Sequence, residues 1–197
     1  MTIALRLLAI FAFWLATALP AQAAVTITFW SHELGNSFPH AFFTLRGVPD
    51  AGGEPVDASY GFTAKSISPA ILLGPVAGKV EGVTPAYMAS STAQFSVELP
   101  DARYVDILTL ISRWSASGED GRYRLNAHNC VHFVREAARL AGLAEVDRPK
   151  LMKRPRSYLQ AIGAANAARV TIIDKPGRDH LPTLAALAPA SPHGPAR

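Results

Sequence analysis

The single cysteine is the feature that most narrows what this chain can fold into. Cys130 is the only cysteine among 197 residues, so no internal disulfide holds the fold together. A chain without such a staple depends on a packed core, and a hydrophobic content of 49% supplies enough apolar side chains for one. The lone thiol is then either buried and inert or kept for chemistry.

The first 23 residues have the three parts of an export signal. Arg6 gives a positive start, an apolar run extends from Leu7 to Leu19, and Ala21-Gln22-Ala23 is a small-residue cleavage pattern. We expect cleavage after Ala23 and an exported protein, periplasmic or secreted, with no stable membrane span after cleavage. An uncleaved membrane anchor is the alternative.

The remaining chain predicts one α+β domain over residues 24–174. β-Branched and aromatic runs predict strands at 25–30, 40–46, 60–63, 93–99 and 170–173, with one or two short strands inside 71–83. Helices are predicted from residue 101, from Asn129 to the C-cap at Gly142, and over 157–165 with Ser157 as the N-cap. We expect a small antiparallel sheet packed against the cysteine-bearing helix, followed by a disordered Pro/Ala-rich tail over 175–197.

The charge of the chain is mild. Removal of Arg6 with the leader leaves 18 Lys and Arg against 15 Asp and Glu, a net charge of +3. The basic residues cluster once, over 149–156, without interleaved aromatic side chains. We therefore expect no nucleic-acid partner, and at most a weak attraction to an anionic envelope surface.

The run NCVHFVREAARLAG places Cys130 in the first turn of an amphipathic helix. The N-terminus of a helix carries partial positive charge and free N–H groups, which favour a thiolate and predict a lowered pKa for this cysteine. The same N–H groups are suited to hold an oxyanion during attack on a carbonyl.

A cysteine nucleophile needs an imidazole as its base. The candidates are His32, His40, His128, His132, His180 and His193. His180 and His193 fall in the predicted tail, and His132 points away from the sulfur on a helix. His32 lies in a predicted loop and the direction of His128 is open. His40 opens an apolar strand where a polar ring is otherwise unexpected, so we favour it as the base for Cys130.

These two segments resemble a known family. NCVHFV is similar to the NCEHFV motif of lecithin–retinol acyltransferase-like proteins, which are circularly permuted papain-like thiol hydrolases related to NlpC-type cell-wall peptidases. HAFFTLRG resembles the histidine strand of that family and precedes the cysteine, as in the permuted order. The resemblance implies Cys130 as nucleophile and His40 as base, with a third polar residue on the next strand, where Thr63 or Tyr60 stands.

Three hypotheses follow. The first is a thiol hydrolase that acts on an amide or thioester bond of an envelope peptide or acyl substrate, with peptidoglycan as one candidate, or an acyltransferase variant of it. The second is a non-catalytic binding protein with a buried structural cysteine. The third is a zinc site on His128, Cys130 and His132, which the helical pattern disfavours. We expect no cofactor.

Overall fold

The computed structural model describes residues 25–33, 35, 38–66, 68–116 and 120–184. The export signal expected over residues 1–23 lies outside the described residues, as do residues 185–197 of the expected tail.

Seven antiparallel strands form one sheet in the order β6-β4-β3-β2-β1-β5-β7. They are β1 (Val25–His32), β2 (His40–Gly47), β3 (Val56–Ala64), β4 (Val76–Glu81), β5 (Thr92–Leu99), β6 (Arg122–Tyr123) and β7 (Thr171–Pro176). The predicted α+β class is confirmed, with a larger sheet than expected. β1 extends into the predicted loop because it stays paired with β2 as far as His32 and His40.

Six helices connect the strands in the described part of the chain. They are α1 (Ala70–Leu73), α2 (Pro85–Ala89), α3 (Asp101–Ser115), α4 (Cys130–Leu140), α5 (Pro155–Ala165) and α6 (Gly177–His180), with short 3₁₀ turns at Pro149–Leu151 and Leu181–Thr183. The predicted left-handed residue at the end of α4 is Gly142, with φ +83°. The predicted cap Ser157 is wrong, because Pro155 already occupies the first turn of α5 and Arg154 is its N-cap.

One face of the sheet, the inner face, carries the main core. α4 packs against β2 and β3, and α5 packs against β1 and β5. The sheet contributes Ile27, Phe43 and Phe62 to this core, and α4 contributes Phe133. Side chains alternate along each strand, so every second one points to this face.

The opposite face, the outer face, has a second and smaller apolar cluster. Trp30, Phe42 and Ala93 are buried there beneath α2 and the C-terminal segment, with Tyr87 and Leu181 packed against them. The other outer positions of β1 are the hydroxyl-bearing Thr26 and Thr28 and, at its end, His32. This cluster lies at the end of the sheet where β1 finishes and β2 begins.

The tail predicted from residue 175 begins inside a strand. β7 pairs with β5 from Ser96↔Thr171 to Thr92↔Pro176, and α6 continues directly from β7. The Gly177 N–H donates to Ser91 O at 2.7 Å, which fixes this segment against the end of β5. The low apolar content of this segment predicted disorder. Its few apolar side chains are nevertheless ordered, because they cover a cluster contributed by distant strands.

Candidate active site

The first turn of α4 is fixed by Asn129. Its side-chain oxygen accepts hydrogen bonds from the N–H groups of Val131 at 2.8 Å and His132 at 3.2 Å, and so caps the helix. Its amide nitrogen donates to Leu125 O at 2.8 Å and to Met152 O at 2.9 Å. Asn129 therefore ties the turn that carries Cys130 to two flanking loops.

The sulfur of Cys130 lies where β2 and β3 separate. Pairing of β2 with β3 ends at Phe43↔Tyr60, and β3 pairs with β4 from Gly61 onward. The backbone N–H of Ala41, two residues beyond the last pair, lies close enough to the Cys130 thiol to lower its pKa. The helix terminus thus meets the sheet beside the residue that follows His40.

Burial raises the pKa of Cys130 to about 11, against the lowering effect of the N–H groups of Ala41, Val131 and Cys130 itself. The side chain is only 6% exposed. The expected low pKa is therefore wrong for the resting protein, because removal of a thiolate from water costs more than the three N–H groups return. The sequence identified the helix terminus but not the depth at which it is buried.

The imidazole of His40 leaves β2 on the outer face. It stacks on Phe42, with ring centroids 6.1 Å apart. Its Nε2 lies 2.5 Å from the place that a Cβ on Gly61 would occupy, so only glycine leaves room for the ring there. The backbone of β2 thus brings Cys130 and His40 to the same point of the sheet, while their side chains approach it from opposite faces.

His40 is neutral at physiological pH, because burial and the nearby His32 lower its pKa to about 4. His32 is its cross-strand partner on β1. The Nδ1 of His32 lies 3.1 Å from Ser91 Oγ, and that hydroxyl donates its only proton to Tyr87 O at 2.8 Å. His32 must therefore donate from Nδ1 to Ser91, which leaves its Nε2 as an acceptor.

Two further histidines lie near α4 and serve the structure. The His128 ring stacks on Trp114 at 3.8 Å, and its Nδ1 lies 2.9 Å from Arg122 O. His132 closes the capping box, because its Nδ1 accepts a hydrogen bond from the Asn129 backbone N–H at 3.4 Å. Among the described residues no three His, Cys, Asp or Glu side chains are placed to share a metal ion, and the start of α4 directs His128, Cys130 and His132 apart.

The two residues considered for the third role lie on opposite faces. Tyr60 packs on Phe43 at 5.7 Å on the inner face, and burial raises its pKa. Thr63 alternates with the buried Phe62, so it shares the outer face with Gly61 and the His40 ring. Of the two, only Thr63 lies on the face of the sheet where a residue that orients the His40 ring would have to be.

Sequence reasoning missed the group that surrounds His40. His32 comes from β1, whereas Tyr87 and Ser91 come from α2 and the turn that follows it, and Tyr87 stacks on the His32 ring at 4.2 Å. The signal that was available is the two-residue period of a strand: Trp30 and His32 alternate with Phe29 and Ser31 on β1, as His40 and Phe42 alternate with Ala41 and Phe43 on β2. Their register could not be known before the strand pairing was.

In comparisons with known proteins, no family model, no curated protein and no solved structure matches the chain. Within the described residues, the helices are all too short or too polar to cross a bilayer.

Proposed function

We propose that this protein is an exported thiol hydrolase, amidase- or peptidase-like, with Cys130 as nucleophile and His40 as base on a permuted papain-like fold. The observation that carries the proposal is the approach of the Ala41 N–H to the Cys130 thiol, which lowers the pKa of that thiol against the effect of burial. The helix-terminal sulfur therefore lies beside the residue that follows a strand histidine far upstream in the chain. A helix terminus against a sheet is a rigid support for such a pair.

The proposed reaction begins from a neutral thiol and a neutral imidazole. As the sulfur attacks the substrate carbonyl, the carbonyl electrons move to the oxygen, and the S–H proton must reach His40 through the gap where β2 and β3 are no longer paired. The N–H groups at the start of α4 stabilise that oxyanion. When the tetrahedral intermediate collapses, the imidazolium gives its proton to the leaving amine or thiolate, and an acyl-enzyme remains.

Deacylation repeats these roles with water. His40 takes a proton from the attacking water, and the thiol is regenerated when the acid product leaves. A peptide amide of the cell envelope is the substrate class we propose, with peptidoglycan as the first candidate. Transfer of the acyl group to an acceptor other than water would make the same site an acyltransferase.

The test is hydrolysis of purified peptidoglycan and of activated thioesters by the full chain, with intact-mass detection of an acyl adduct on Cys130. We expect turnover by the wild type, none by Cys130→Ala, and a loss of at least about a hundredfold in His40→Asn. Because the pKa values of His40 and Cys130 lie at about 4 and about 11, kcat/KM should stay nearly constant between those limits.

A matched control is His128→Asn, which removes an imidazole of the same region that is hydrogen-bonded to Arg122 O. It should retain turnover if it folds. Turnover by His40→Asn equal to that of the wild type would overturn the assignment of the base. Absence of both turnover and adduct in the wild type would overturn the hydrolase.

One observation favours a second candidate, a non-catalytic binding protein with a structural cysteine. Cys130 is 6% exposed and its raised pKa keeps it a thiol, as for an inert buried cysteine. In that case Cys130→Ala would keep ligand binding and stability, and no acyl adduct would form.

A further inference from the structure

We propose that the end of the molecule that holds Cys130 docks on an anionic lipid bilayer through the α1 loop. The α1 loop is the connection from Lys65 to Pro75, between β3 and β4. It presents two adjacent leucines to solvent, with Leu72 75% and Leu73 89% exposed. Two neighbouring leucines exposed to this degree are unusual on a protein surface that meets only water.

The strand directions place this loop at the end of the sheet where Cys130 lies. β3 ends at Ala64 and β4 begins at Val76, and the antiparallel β2 begins at this same end with His40. Arg122 donates to Pro75 O at 3.3 Å, which links the α1 loop to the segment that precedes Cys130. The exposed leucines therefore project from the end that holds the thiol.

A third apolar side chain stands at this end. Phe38, two residues before His40, is 65% exposed. It comes from the connection between β1 and β2, whereas the leucines come from the connection between β3 and β4. Apolar side chains from two separate loops thus extend beyond the same end of the sheet.

The charges around this end are mostly positive. Lys65, Arg122, Lys153 and Arg154 are exposed here, against Glu33 and Asp120, of which Asp120 is paired with Arg113. Lys153 is placed beside the Cys130 turn by its 3.0 Å hydrogen bond to Asn126 Oδ1. The sequence from 65 to 80 contains two lysines and no acidic residue.

Exposed leucines within a basic surround match the interface of an anionic membrane. Leucine side chains enter the boundary between headgroups and acyl chains, while lysine and arginine contact the anionic headgroups. The described ion pairs of the chain use other basic residues, namely Arg46, Lys79, Arg113, Arg135, Arg139, Arg148 and Arg178. None of the described ion pairs neutralises the four cations at this end, and the partners that Arg122 and Lys153 do have, Pro75 O and Asn126 Oδ1, are uncharged.

The test is flotation of the full chain with vesicles of phosphatidylcholine that contain phosphatidylglycerol. We expect binding by the wild type that weakens with added salt, and at least about tenfold weaker binding by the double variant Leu72→Ser/Leu73→Ser. Lys65→Gln/Lys153→Gln should lose binding to these vesicles in proportion to their phosphatidylglycerol content.

Val105→Ser is the matched control, because Val105 is an apolar residue of α3 that is 57% exposed at the other end of the sheet. Asp101, one turn before it, accepts hydrogen bonds from the N–H groups of Asp50 and Ala51 in the loop after β2. This variant should bind vesicles as the wild type does. Equal loss of binding in Val105→Ser and in the leucine variant would overturn the proposal.

Membrane docking is independent of the proposed hydrolase, and Cys130→Ala separates the two. That variant should float with vesicles as the wild type does, whatever its activity. Absence of wild-type flotation would overturn the docking proposal alone. If the leucine variant instead abolished a concentration-dependent dimer in sedimentation and left flotation unchanged, the α1 loop would be a contact between copies of this chain.

Discussion

The two faces of the sheet are built differently. The inner face is covered by α4 and α5, each of 11 residues, over a continuous apolar core. The outer face is covered at one end by the short helices α2 and α6, over the small cluster of Trp30, Phe42 and Ala93. Three imidazoles lie in or beside that cluster, those of His32, His40 and His180. The contrast indicates that stability resides mainly on the inner face, whereas the small outer cluster is the one that three imidazoles line.

The difference in stability between the two faces is tested most directly by removing one buried ring from each face. Phe133 contacts Phe43, Phe62 and Trp114 in the inner core, and Phe133→Ala should reduce the free energy of unfolding by about 3–5 kcal/mol. Phe42→Ala should lower it by about 2–3 kcal/mol, because short covering helices can collapse into the space. Urea unfolding of both variants measures the difference, and an equal or larger loss from Phe42→Ala would contradict it.

Acid should weaken the outer face through His40. Its pKa is about 4 in the folded protein against 6.5 when unfolded, so the unfolded chain binds more protons between these values. Stability is therefore fully present above pH 6.5 and lost as the pH falls toward 4, by up to about 3 kcal/mol for this ring.

The variant His40→Asn isolates that contribution. Its stability should fall less steeply from pH 6.5 to 4 than that of the wild type in urea titrations. The slope due to His132, whose pKa burial also lowers to about 4, should remain. An unchanged slope would show that acid does not act through His40.

The smallest expected difference lies between the two helix caps. Asn129 caps α4 with both of its buried side-chain atoms hydrogen-bonded, so Asn129→Ala should cost about 2 kcal/mol. Thr84 caps α2 through one exposed hydrogen bond from the Tyr87 N–H at 3.2 Å, and Thr84→Ala should cost about 0.5–1 kcal/mol. Thermal unfolding checks the order, and a reversed order would mean that the outer cover contributes more than its burial indicates.

The features that depend on local sequence pattern were predicted correctly. The α4 start at Asn129 and the turn at Gly142 follow from side-chain capping and backbone freedom, and both are where they were expected. The strand at His40 follows from its β-branched and aromatic neighbours. What the sequence could not supply depends on long-range pairing: the face of the sheet on which His40 lies, the order of residues 175–184, and the burial that raises the pKa of Cys130.

The cover over Trp30 has a consequence for how this protein is made. β7 and α6 leave the ribosome long after β1, yet they complete the outer cluster that β1 begins. Trp30 and Phe42 therefore stay uncovered until this segment has been synthesised, and exposed apolar surface of this kind makes a nascent chain prone to aggregation. Products cut short before Gly177 would expose the same rings permanently and should be cleared by proteases.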